Sequence, residues 1–294
     1  MIRPAASRSL EYSEGGRSPE LSRRGFIGLV PAALGLLAEG RRSRAGAADP
    51  RRYFRGDPPG DLSPFERLHA PVLRLPAATA NGARVPIVVE MAHPMEPGHY
   101  VERIQVVNER DPVPSKGIFH FTPANGQVYL AFQARLDQGV SEVAVTAECT
   151  LHGTWTSARS ITIPPGAGGC AGTVPSRAAE EILPPRIRIP QVIKHGRIRP
   201  GELVDVQLEM RHPSRTGLAL RDGKFVQASE PFYLDEMEVL YGGERVSRFA
   251  LTPALSDNPF ITFRIGARRE GPLRIVVHNS RGRRFETTYP IRFS

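Results

Sequence analysis

Along most of the chain, apolar and polar residues alternate in short runs broken by Gly, Pro and Asn. A period of two sends successive side chains to opposite faces of a strand. The pattern predicts strands at 85–89, 100–107, 128–134 and 143–150, then at 203–208, 236–241, 261–265 and 273–278. No segment sustains a helical period. About seven short strands per hundred residues is the patterning of an immunoglobulin-type sandwich.

The pattern also repeats. Val89-Glu90-Met91-Ala92-His93-Pro94, with Gly98 beyond, recurs as Leu208-Glu209-Met210-Arg211-His212-Pro213 with Gly217 beyond. Phe119-His120-Phe121-Thr122-Pro123-Ala124 recurs as Phe249-Ala250-Leu251-Thr252-Pro253-Ala254, and Tyr129-Leu130-Ala131-Phe132 corresponds to Phe260-Ile261-Thr262-Phe263. Self-similarity on this scale means two copies of one domain. The expected fold is therefore all-β: two tandem immunoglobulin-like β-sandwich domains, 61–164 and 186–294, joined by a flexible Gly/Pro-rich arm at 165–185.

The start of the chain reads differently. Ser22-Arg23-Arg24-Gly25-Phe26-Ile27 precedes an apolar run ending at Ala38, and the small residues Ala45-Gly46-Ala47 follow. Paired arginines before a short apolar stretch mark a twin-arginine signal peptide, assigned to 1–47, with 48–60 as a linker to the first domain. Export to the periplasm is the expectation. Residues 1–47 hold eight Arg and four Glu, so the formal charge of +9 falls to +5 without them. That mild excess, scattered between strands without a basic stripe, gives no reason to expect nucleic acid as a partner. No later run is long and apolar enough for stable membrane insertion.

Only two cysteines are present, Cys149 and Cys170. An oxidising compartment would favour pairing them, unless each has its own post. Cys170 stands in Pro164-Pro165-Gly166-Ala167-Gly168-Gly169-Cys170-Ala171-Gly172, without strand patterning or bulky neighbours. Such a segment is expected to be mobile and solvent-exposed, a tether that gives a nucleophilic sulfur reach and no steric shoulder. Nothing near it in sequence lowers the thiol pKa, so activation would come from a partner. Val143, Val145, Ala147, Cys149 and Leu151 share one strand face, where a small core cysteine would also fit.

The first domain and arm resemble SoxY, the thiosulfate-oxidation carrier subunit, through Asn81-Gly82-Ala83, Asp111-Pro112-Val113-Pro114, Phe119 to Pro123 and Gly168-Gly169-Cys170. The second resembles SoxZ through Gly201-Glu202, His212-Pro213, Thr216-Gly217-Leu218 and Asn258-Pro259. The resemblance implies a periplasmic carrier that holds a thiosulfonate or persulfide on Cys170. It also implies partners among periplasmic sulfur-oxidising enzymes, or a quinoprotein dehydrogenase system with c-type cytochromes, as for fused carriers of this kind. Ala171 stands where that family has glycine, and the arm is tethered at both ends.

A second resemblance lies within the first domain, which holds five of the eight histidines. Leu68-His69-Ala70-Pro71-Val72, His93-Pro94-Met95-Glu96 with His99-Tyr100, and Cys149 with His152-Gly153-Thr154-Trp155 resemble parts of superoxide reductase. That likeness implies one mononuclear iron held by His69, His93, His99 and His152 with Cys149 as thiolate. Imidazole and thiolate suit such an ion. The family's lysine before the first histidine is replaced by Leu68, with Arg67 one residue earlier. Three readings follow: a non-catalytic carrier on Cys170, a superoxide-reductase-like enzyme, and a pair of docking sandwiches for a dehydrogenase.

Overall fold

The computed structural model describes residues 52–56, 60–171 and 181–293; the signal-peptide assignment and 172–180 of the arm lie outside them. The first half holds β1 (Tyr53–Arg55), α1 (Pro64–His69), β2 (Val72–Arg74), β3 (Val85–Met91), β4 (Val101–Val107), β5 (Ser115–Phe121), β6 (Val128–Ala134), β7 (Gly139–Cys149) and β8 (Gly153–Ile163). The second holds β9 (Arg186–Arg188), α2 (Pro190–His195), β10 (Leu203–Glu209), β11 (Leu218–Arg221), β12 (Lys224–Gln227), β13 (Leu234–Tyr241), β14 (Glu244–Leu251), β15 (Phe260–Gly266), β16 (Gly271–Asn279) and β17 (Arg284–Ile291). All eight strands expected from the alternation are present, and the class is all-β with two immunoglobulin-like halves in tandem. In β7 the alternation is complete, with Val143, Val145, Ala147 and Cys149 all buried.

The halves do not hang apart. One sheet runs β1-β8-β7-β4-β5-β14-β13-β16-β17 and the facing sheet runs β2-β3-β6-β15-β10-β9, so both sheets are continuous across the two halves. The joins are β5 to β14 and β6 to β15, both antiparallel. Equivalent residues of the repeat meet there: Phe119 is paired with Phe249, and Ala131 with Thr262. A self-complementary contact of this type is the signature of a two-fold axis. The chain thus builds inside itself the isologous interface of a dimer.

Four phenylalanines pack around that axis. Phe119 lies 5.1 Å from Phe249 between ring centroids, with Phe132 5.2 Å from Phe119 and Phe263 5.6 Å from Phe249. Tilted and edge-on pairs at such distances contribute about 0.5–1.5 kcal/mol each beyond their buried area. The repeated Thr-Pro-Ala turn has a parallel role. Thr122 Oγ1 donates to Val246 O at 2.9 Å, and Thr252 Oγ1 donates to Ser115 O at 2.8 Å, each hydroxyl tying its own half to the other.

A two-fold axis across the strands inverts the second half relative to the first. The loop after β10, which carries His212, therefore lands beside the opposite end of the first half from the loop that carries His93. That inversion places both candidate sites.

Two candidate sites at opposite ends of the first half

Three segments meet at the His93 end. Ser63 caps α1 by a capping box with Glu66, and Pro64 pre-sets its first turn. One and a half turns later His69 is 1% exposed. The loop between β3 and β4 supplies His93 and then His99, folded back by a pair of backbone bonds between Glu96 and His99 at 3.0 and 3.1 Å. The tight hairpin between β7 and β8 supplies Cys149 and His152, with Gly153 at φ +74°.

Of the five residues read from the sequence, His69, His99, Cys149 and His152 bring their ligand atoms together, and the His93 ring packs against His69 and His99 beside that group. The ring centroids run 4.7 Å from His69 to His93, 4.6 Å on to His99, 4.8 Å on to His152 and 4.8 Å back to His69. The ligand atoms of His69, His99, Cys149 and His152 all lie within 4.8 Å of one another. Cys149 Sγ is 3.6 Å from His152 Nδ1, which is itself 3.0 Å from His69 Nε2.

The outer nitrogens fix the tautomers. His69 Nδ1 is 2.7 Å from Phe65 O, and His93 Nδ1 is 2.6 Å from Pro94 O. A carbonyl only accepts, so both Nδ1 atoms carry the proton and both Nε2 lone pairs turn inward. His93 Nε2 and His99 Nε2 are buried with no hydrogen-bond partner. Buried unpartnered nitrogens are costly, and a ring of them around a thiol is what a metal ion satisfies. Burial pushes His69 below its usual pKa and His93 to about 4, with the neighbouring imidazoles acting in the same direction, so both are held neutral as ligands require.

Sequence reasoning missed the residues around this ring. Phe65 lies 4.4 Å from His69 and 4.9 Å from His152, and Trp155 lies 5.1 Å from His69. Arg52 Nη1 donates to His152 O at 2.6 Å, with its guanidinium 4.9 Å from the Trp155 ring centre. The Ser63-x-x-Glu66 spacing was the available signal for α1. Arg67, one residue before Leu68, donates to Leu62 O at 2.5 Å and Gly60 O at 3.4 Å.

The thiol of Cys170 overturns an expectation. It is wholly buried, not solvent-exposed. The glycines before it serve close packing rather than freedom. A Cβ on Gly169 would sit 2.3 Å from the Gly82 backbone, and one on Gly82 would sit 2.6 Å from Ala167 O. Gly169 N donates to Leu136 O, and Leu136 N donates to Gly82 O, both at 2.8 Å. The backbones lie so close that no side chain fits between them.

The inverted second half completes the seat. Thr216 Oγ1 donates to Cys170 O at 2.7 Å. Arg135, 9% exposed, donates to Gly169 O at 3.1 Å, to Ser214 O at 2.8 Å and to Asp257 Oδ2 at 2.7 Å. Nearby, Lys116 and Asp111 form a buried ion pair at 2.5 Å, and Asp111 Oδ1 accepts from Asp137 N at 2.9 Å. Burial above all, then Asp111, pushes the Cys170 thiol up to about 12, against opposing effects of Lys116 and Arg135. The resting thiol is neutral.

The two cysteines are not bonded to each other. The arm packs on Leu136 and Gln138, just before β7, whereas Cys149 ends that strand. Eleven residues at about 3.3 Å each put the two ends of β7 about 33 Å apart, far beyond disulfide reach.

Residues 66–170 match the family model for sulfur oxidation protein SoxY, and residues 193–290 match that for sulphur oxidation protein SoxZ. No curated protein matches the chain. Among solved structures, a superoxide reductase from Nanoarchaeum equitans is similar at 20% identity and TM-score 0.27, covering 32% of this chain and 94% of that one. A glycosyl hydrolase family 2 member from Bacteroides cellulosilyticus is similar at 12% identity and TM-score 0.21, covering 77% of this chain and 30% of that one. Scores this low bear on neither fold nor function.

Proposed function

Because this chain belongs to the SoxY and SoxZ sulfur-oxidation families as a tandem fusion of the two, we propose that it is a periplasmic carrier that holds a sulfur species covalently on Cys170. Loading thiosulfate would replace the S–H bond with an S–S bond, a two-electron oxidation that releases the thiol proton and passes the two electrons to a c-type cytochrome partner, and partner sulfur-oxidising or quinoprotein enzymes would receive the adduct. The observation that carries the reading is the position of Cys170. It is the last residue of the SoxY match, and both halves of the molecule hold its backbone. A linker cysteine without a role would have no need of such a seat. Sox carriers are generally periplasmic, which agrees with the twin-arginine reading of residues 1–47.

Mass spectrometry of protein purified from the periplasm after growth on thiosulfate or methanol tests this. A sulfur adduct on the Cys170 peptide is expected. Wholly unmodified Cys170, with Cys170→Ala cells growing normally, would overturn it.

A second reading rests on the unpartnered Nε2 atoms of His93 and His99. Those two, with His69, His152 and Cys149, fit one mononuclear iron, four imidazoles and a thiolate being a donor set such an ion takes. Bound iron would supply one-electron redox chemistry of the superoxide-reductase type. The chain's own part is to hold the imidazoles neutral and to cover His69 and His152 with Phe65. One iron per chain with a visible thiolate band, lost in Cys149→Ser, is the expected result; protein that binds no iron rules it out. The two readings are compatible, since the length of β7 separates the sites.

A further inference from the structure

The clasp on Cys170 is joined to a part of the second half that neither large sheet uses. Strands β11 and β12 form a two-stranded ribbon of their own. An isolated hairpin is marginal in water and is kept for a reason other than core formation. It springs from Thr216-Gly217, where Ala228 and Ser229 close its base by donating to Gly217 O at 2.8 and 3.1 Å. Thr216 belongs to both structures. Its hydroxyl accepts from Leu218 N at 3.2 Å, at the first residue of the ribbon, and donates to Cys170 O. Movement of the ribbon is therefore movement of the clasp.

The tip shows what would move it. Asp222 and Gly223 both have positive φ, +49° and +74°, forming a two-residue hairpin turn. On either side Arg221 faces Lys224 directly across the strands, and both are exposed. Like charges opposite one another destabilise a strand pair, and opposing carboxylates relieve the repulsion. The other face of the ribbon pairs Leu220 with Phe225, and Leu220 is 49% exposed. The tip thus presents two adjacent cations against the single carboxylate of Asp222, with the exposed Leu220 on the opposite face, and this net positive charge fits an acidic protein surface.

We propose that the β11–β12 ribbon is the docking surface for an acidic partner protein, and that engaging it unclasps Cys170 through Thr216. This rests on the carrier reading and deepens it by naming the partner's surface chemistry. A stowed thiol would then meet solvent only beside a docked partner.

Iodoacetamide labelling of the full chain, followed at each cysteine by peptide mass, tests the proposal. The probe is poly-L-glutamate, with poly-L-lysine as control and Cys149 as internal reference. Poly-L-glutamate should speed Cys170 labelling about five-fold, as expected for the loss of one net hydrogen bond of about 1 kcal/mol. The Arg221→Ser/Lys224→Ser variant should show no such acceleration. Thr216→Val, which keeps the shape and removes the hydroxyl, should label about five-fold faster without any probe. Equal acceleration in the tip variant, none in the parent chain, or an unchanged rate in Thr216→Val would overturn the proposal. So would a parallel rise at Cys149, which would mean general loosening. Absence of a sulfur adduct in the periplasm would instead defeat the carrier reading and leave these rates standing.

Discussion

His93 and His212 open the same loop in the two halves, and each ring is fixed in the same way, Nδ1 lying 2.6 and 2.5 Å from the carbonyl of the following proline. The far nitrogens differ. His212 Nε2 meets Asn279 Nδ2 at 3.1 Å, whereas His93 Nε2 has no partner. Asn279 ends β16 opposite Leu234, as Cys149 ends β7 opposite Val101. One position therefore carries an amide in one half and a thiol in the other. In the second half the loop is closed by hydrogen bonding, and its later residues, Ser214 and Thr216, hold the Cys170 segment. In the first half it is left open toward a ring of lone pairs. The contrast makes the second half an internal control for the metal reading, because the His-Pro turn alone does not require an unsatisfied nitrogen.

The sharpest test substitutes the same residue in both halves. His93→Ala should abolish stoichiometric binding in a ferrous iron titration, whereas His212→Ala should keep one iron per chain and cost about 1–3 kcal/mol in urea unfolding. A variant at His212 that loses iron would erase the distinction. The next effect concerns Lys116, whose repeat equivalent is the buried Val246. Lys116→Val strips the buried Asp111 carboxyl of the cation that offsets its burial, so a loss of about 3–5 kcal/mol is expected, with most of it recovered by also replacing Asp111 with Val. Urea midpoints of the single and double variants decide this.

Gly169→Ala should cost about 1–3 kcal/mol and speed Cys170 labelling, because its Cβ meets the Gly82 backbone at 2.3 Å. Gly60→Ala, whose Cβ meets nothing within 4 Å, should stay within about 0.5 kcal/mol. The smallest effect is a pH slope. An unfolded thiol titrates near 9.0, and the folded Cys170 thiol is pushed up to about 12. Above pH 9 unfolding then releases a proton. This contribution to stability is whole below pH 9 and is lost as pH rises toward 12, at no more than about 1.4 kcal/mol per pH unit. Urea unfolding at rising alkaline pH should show a shallower decline for Cys170→Ala than for the parent chain.

Much of this was legible in the sequence. The eight strands declared themselves because one face of each is buried and the period is two, and His69, His93, His99, Cys149 and His152 were legible as one constellation from their local contexts. Other features depend on partners remote along the chain. Gly168-Gly169 reads as a tether until Gly82 and Leu136 are seen against it. Arg135 reads as a solvated residue after a strand, although it bridges Gly169, Ser214 and Asp257. The joining of equivalent strands was not legible either, because an edge strand and a paired one share the same alternation. The short α1 has too few turns to show a period, and only its cap betrays it.

The pairing of Phe119 with Phe249 has a consequence for concentration. Two separate subunits meeting through that surface would part on dilution, by mass action. Here both sides belong to one polypeptide, and the local concentration of each for the other is set by the connecting segment. However scarce the protein becomes, the seam closes as a unimolecular event, and every copy that folds carries a complete seat for its thiol.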